Sequence, residues 1–150
     1  MKLYLIQHGL SLPEEQDPQK PLSEEGKDET RKMGRFIKAE NIRVASIWHS
    51  KKMRVIETVQ IISEYIEKTD VKERVDLNPN DGVNKIKEEI ESLKQDIMIV
   101  GHLPFLQKLT SLLLFSTEEN DSIIFKNSGL ICLGYQEKWK LLWEIIPDLL

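Results

Sequence analysis

The sequence predicts a three-layer α/β/α sandwich whose central sheet is mostly parallel with an antiparallel edge. Two observations carry that prediction. Up to Phe115, short apolar runs alternate with stretches of helical periodicity, which is the pattern of strands joined by crossover helices. Beyond Ser116 the periodicity changes to short strands closing in a hairpin, which supplies the antiparallel edge. With 150 residues, 40% hydrophobic and 31% charged, the chain reads as a single globular domain, 1–150, able to bury a full core.

The elements follow in order. Leu3-Tyr4-Leu5-Ile6 is a short buried strand, and Gly9 marks the turn that ends it, leaving Gln7 and His8 at its C-terminal lip. Residues 10–20 form a polar loop with Pro13 and Pro18, too long for a simple turn. Ser23 caps the first helix, Glu24 and Glu25 suit its first turn, and Met33, Phe36 and Ile37 give it a buried stripe. The charged residues between Lys27 and Lys32 read as its solvated face.

Residues 44–48 form the second strand, with Trp48 in the core, and His49 and Ser50 end it; His49 reads as a surface residue beside the strand end. Lys51-Lys52-Met53-Arg54 then opens a helix marked by Val55, Ile56, Val59, Ile62 and Ile66. Cations at a helix N-terminus oppose the dipole unless an anion binds there. Residues 71–77 are expected as a third strand, followed by the turn-rich 78–82 and a helix carrying Val83, Ile86, Ile90 and Leu93. Residues 96–100 form the fourth strand, and Gly101-His102-Leu103-Pro104 leads into a helix reaching Phe115. Residues 123–125, 129–135 and 139–146 are expected as strands, the last two a hairpin around Glu137.

Net charge is −4, which gives no general electrostatic case for nucleic acid or an acidic membrane as partner. The single cysteine, Cys132, lies in an apolar run and reads as a core residue, and no zinc-like spacing exists. The N-terminal apolar run is too short for a signal peptide and no apolar stretch approaches a membrane span, so a cytoplasmic protein is expected.

In open α/β sheets, ligands bind outside the carboxyl ends of the strands. That rule gathers His8, Ser50, Arg54 and His102 at one edge, with Lys20 in reach from the loop. Backbone N–H groups, an arginine fork and imidazoles suit a tetrahedral oxyanion such as phosphate. A neutral imidazole is also a competent nucleophile toward phosphorus. A strand-end histidine taken singly is more often a structural hydrogen-bonding residue. Composition and spacing leave both roles open.

These residues resemble the histidine phosphatase superfamily, which includes the phosphoglycerate mutases. Its Arg-His-Gly motif is similar to Gln7-His8-Gly9, and its Ser-Pro-x-x-Arg-Ala-x-x-Thr stretch to Ser50–Thr58. Its late histidine is similar to Val100-Gly101-His102-Leu103-Pro104, and its Pro-Leu-(Ser/Thr)-x-x-Gly segment to Pro21-Leu22-Ser23-Glu24-Glu25-Gly26. The resemblance implies a phosphoglycerate mutase-like fold. It implies His8 as the phosphoryl-accepting nucleophile, with Arg54 and His102 binding phosphoryl oxygens, and no metal or cofactor. Gln7, Gly9, Lys20 and Ser50 would complete the phosphate site, and Glu57 and Thr58 would support it.

The short chain resembles the SixA-type phosphohistidine phosphatases, which implies a phosphorylated protein histidine as substrate, or else a small phosphorylated molecule. Gln7 departs from the motif, since glutamine lacks arginine's permanent charge and planar fork. The alternative reading is therefore a phosphate- or phosphoprotein-binding module with weakened turnover, and the third a small-metabolite phosphatase. Asp76 and Asp81 are the carboxylates available as general acid, and neither matches a motif well enough to name.

Overall fold

The computed structural model describes residues 1–150. Six strands form one sheet: β1 (Lys2–Gln7), β2 (Ser46–His49), β3 (Asp70–Glu73), β4 (Ile97–Gly101), β5 (Leu130–Gln136) and β6 (Lys138–Ile145). Their spatial order is β3-β2-β4-β1-β5-β6. The first four are mutually parallel, and β5 and β6 run antiparallel at one edge. Four helices connect them: α1 (Glu24–Ala39), α2 (Met53–Ser63), α3 (Asn84–Leu93) and α4 (Phe105–Phe115).

The period-2 alternation of buried strands sorts the core into two halves. On one face Leu3, Leu5, Ile97 and Ile99 pack with Ile86 and Ile90 of α3 and Phe105, Leu106 and Leu109 of α4. On the other Tyr4, Ile6, Met98 and Val100 pack with Met33 and Ile37 of α1 and Val55, Val59 and Ile62 of α2. The expected three-layer architecture with its antiparallel edge is the one observed. Strands buried on both faces read as continuous apolar runs, which is why β1 and β4 are so plain in the sequence.

Local chemistry sets the boundaries. Ser23 caps α1 as expected, its hydroxyl accepting from Gly26 N–H at 3.0 Å. Gly26 is required there because a Cβ would stand 2.1 Å from the Leu10 carbonyl oxygen, which presses the loop onto the helix. Cys132 is fully buried, as expected, and burial pushes its thiol up to about 11. The hairpin turns at Glu137, which adopts φ 74°.

Two expected strands differ. Residues 71–77 give only the short edge strand β3, because Arg74 turns its guanidinium onto Asp76 at 2.8 Å and onto Glu89 of α3, curling the chain off the ladder. Val75 is left 79% exposed while Leu77 plunges into the core, so the run never had one buried face. Residues 123–125 form no strand; Phe125 packs into the core and Ile124 points out at 66% exposure, with no neighbouring strand to pair them. No helix is long and apolar enough to cross a membrane.

Candidate active site

Strands β2, β4 and β1 are neighbours, so their carboxyl ends bring Ser50, His102 and His8 together from distant parts of the chain. The junction is tied by His8 N–H donating to the Gly101 carbonyl at 3.0 Å. The His8 and His102 rings stand 5.4 Å apart, centroid to centroid. Between them lies Arg54 from the first turn of α2, its Nε 3.4 Å from His8 Nε2 and one terminal nitrogen 3.4 Å from His102 Nδ1.

The contacts assign each ring's tautomer. A backbone carbonyl only accepts, so the 2.7 Å contact between His8 Nδ1 and the Gly9 oxygen places the proton on Nδ1 and leaves a lone pair on Nε2. That lone pair faces the arginine. Burial, with the charges of Arg54 and Lys20 acting in the same direction, holds His8 below its ordinary pKa, although the Gly9 hydrogen bond pulls the other way. His102 is pushed down further, to about 3, by burial first and then by Arg54, His8 and Lys52. Its Nδ1 receives the arginine N–H, so Nε2 carries the proton and donates to Ser50 Oγ at 2.7 Å. Both imidazoles are neutral at pH 7, and the site's fixed positive charge resides on Arg54 and the neighbouring lysines.

The supporting contacts explain the residues between the histidines. Thr58 Oγ1 accepts from Gly9 N–H at 2.9 Å and donates back to the Arg54 carbonyl, joining the β1 turn to the helix that carries the arginine. Glu57 accepts from Leu22 N–H at 3.0 Å and holds the following loop. Gly9 is packed so closely that a Cβ would stand 2.8 Å from Thr30 Oγ1 and 3.0 Å from Ser128 Oγ.

The sequence reading missed the last contributors. Asn127 donates its amide to the His8 carbonyl at 2.9 Å, and Ser128 donates its N–H to the Gln7 carbonyl and shares a 2.7 Å hydrogen bond with Thr30. No local signal marks them, because they reach the site only through the fold's last crossing, 119 positions from His8.

The expected site residues do not all face the same way. His8, Arg54 and His102 converge, and Lys20 lines one cavity with Arg54, Lys51 and Lys52. Lys20 adopts φ 50°, a left-handed conformation that costs a lysine about 1–2 kcal/mol. Ser50 is fully buried, its hydroxyl bonded to His102, and the Gly9 N–H is taken by Thr58; neither lines that cavity. Gln7 presents a buried Oε1 with no hydrogen-bond partner.

His49 is no surface residue. It is 8% exposed and bonded through Nδ1 to the Ser50 carbonyl at 2.8 Å, because β2 is an interior strand of the sheet. Trp48 is core, as expected, with the Arg74 guanidinium 4.4 Å above its ring. Asp76 is clamped by Arg74, whose hydrogen bonds hold the carboxyl below its usual range, which makes it a poor proton donor. Asp81 accepts from Asn78 N–H in the turn before α3.

The fold is shared with solved phosphatases. The protein histidine phosphatase SixA, solved with tungstate, superimposes with a TM-score of 0.86 at 19% identity, over 99% of this chain and 98% of that one. The alpha-ribazole phosphatase of Shigella flexneri gives 0.77 at 14% identity, over 94% of each chain. The phosphoserine phosphatase of Entamoeba histolytica, solved with 3-phosphoglyceric acid, gives 0.69 at 17% identity, over 95% of each. No curated protein matches the sequence. Residues 3–81, more than half of the chain, match the histidine phosphatase superfamily (branch 1), and the chain belongs to that family.

Proposed function

We propose that this protein is a phosphohistidine phosphatase acting on a phosphorylated protein histidine through a phospho-His8 intermediate. The observation that carries the reading is the His8 tautomer: Nδ1–H donates to the Gly9 carbonyl, so a neutral Nε2 lone pair is presented beside Arg54. In the first step His8 Nε2 bonds to phosphorus as the substrate's N–P bond breaks. The departing imidazole nitrogen takes a proton from solvent, and the Arg54 guanidinium, oriented by its contact with His102 Nδ1, stabilises the transferring oxygens. Water then attacks phosphorus, the His8 N–P bond breaks, the water's proton leaves, and phosphate is released. Asp76 is bound to Arg74, Asp81 to the Asn78 N–H and Glu57 to the loop backbone, so none of these three carboxyls is free to protonate an alkoxide leaving group. An imidazole leaving group protonates readily, which favours a phosphoramidate over a sugar-phosphate ester.

One observation favours a second reading, a phosphate-binding protein with little turnover. Gln7 stands where the resembled motif has arginine, and its amide brings no positive charge to phosphate, while its buried Oε1 has no hydrogen-bond partner. Hydrolysis of phosphohistidine and of p-nitrophenyl phosphate, with His8→Ala as the blank, separates the two. Turnover of phosphohistidine that is abolished by His8→Ala supports the enzyme. Saturable binding of inorganic phosphate or tungstate without turnover supports the binder. Turnover that survives His8→Ala overturns the nucleophile assignment.

A further inference from the structure

Beside the phosphoryl site lies a shallow cavity lined by Lys20, Lys51, Lys52, Met53 and Arg54, with Glu14 also lining it. Although acids outnumber bases in the chain, none of its four cations makes an ion pair within 4.0 Å. Six of the chain's 21 lysines and arginines make such a pair, so what distinguishes these four is that they gather, unpaired, on one cavity next to the histidines. Arg54 is committed to the space between the histidines, whereas Lys51 and Lys52 are exposed and precede the first turn of α2. They exceed what one phosphoryl group needs.

One lining side chain, Met53, is apolar. Leu10, Met53 and Leu103 each adjoin a site residue in sequence and are 37%, 38% and 38% exposed. Cations interleaved with exposed apolar side chains suit the surface of a polypeptide better than a small, fully hydrated metabolite.

We propose that Lys51 and Lys52 form a subsite for carboxylates flanking the phosphorylated histidine in an acidic segment of a partner protein. This deepens the phosphohistidine reading and rests on it for the identity of the phosphorylated residue. The subsite acts on recognition: exposed charge pairs steer and select a partner more than they tighten it, and salt weakens them.

The test is a binding measurement that needs no turnover. A peptide carrying a stable phosphoryl-triazole mimic of phosphohistidine, flanked by glutamates, is compared with its glutamine-flanked twin by fluorescence anisotropy. The natural protein should bind the glutamate peptide about fivefold to tenfold more tightly at low ionic strength, the range exposed charge pairs supply. The Lys51→Gln/Lys52→Gln variant, whose side chains hold nothing else in place, should bind both alike. Equal affinities for the natural protein, or a preference that survives in the variant, would overturn the subsite. So would inorganic pyrophosphate proving more sensitive to the variant than the peptide, since the subsite would then serve a small polyanion. Failure of phosphohistidine turnover alone, with the peptide preference intact, strikes the proposed chemistry and leaves the subsite standing.

Discussion

Replacing Gln7 by arginine tests how much of the site's capacity a single charge controls. Gln7 ends β1, paired with Gly101 of β4 and directly preceding His8, and its buried Oε1 has no donor. An arginine in its place exchanges a neutral amide with an orphaned oxygen for a charged donor. At roughly 5 Å and an effective dielectric of about 20, a unit positive charge stabilises a unit negative charge by about 3 kcal/mol. A preorganised donor to a developing oxyanion is worth about 2.7–4 kcal/mol, or roughly 10²–10³ in rate. Two terms oppose this, desolvation of the guanidinium and repulsion from Arg54, which burial already strains. A gain of about 10²-fold in kcat/KM toward phosphohistidine is therefore expected, mostly in kcat because the extra charge acts on the transition state. Steady-state release of phosphate from the natural protein and Gln7→Arg, both judged against His8→Ala, measures it. A change of less than about threefold in a correctly folded variant would refute the reasoning and mean that position 7 does not face the transferring oxygens.

Three other outcomes follow from the same geometry. His102 is neutral when folded, with a pKa near 3, whereas the unfolded chain protonates it near 6.5. Its contribution is thus fully present above pH 6.5 and is lost as pH falls toward 3, on the order of a few kcal/mol; urea melts at pH 7.5 and 4.5 should show a larger acid loss for the natural protein than for His102→Gln. Ser50→Ala strands the buried His102 Nε2–H, which should cost about 1–3 kcal/mol by denaturant melts and lower kcat through the freed ring. Gly26→Ala drives a Cβ into the Leu10 carbonyl, and a backbone atom cannot step aside cheaply; a loss of about 1–3 kcal/mol and weaker phosphate binding through the displaced loop are expected in melts and phosphate titrations.

The sequence by itself determined the layered architecture, because fully buried parallel strands and one-sided helices leave strong periodic signals in β1, β4, α1 and α2. It also pointed to His8, Arg54 and His102, which the fold brings together, since strand ends are flagged by glycine and helix starts by their cations. Edge elements were poorly legible. β3 is exposed along its length and residues 123–125 have no strand to pair with, so their apolar patterns predict more sheet than forms.

Only the tertiary structure decided what each polar group does. Ser50 lies behind His102, Thr58 occupies the Gly9 N–H, and Asn127 and Ser128 close the site. His49, adjacent to Ser50 in sequence, is buried structure. Hydrogen bonds between residues roughly 50 to 120 positions apart leave no local trace. A tautomer is chosen by whichever carbonyl or hydroxyl the fold brings against the ring, and that choice is what makes His8 Nε2 available.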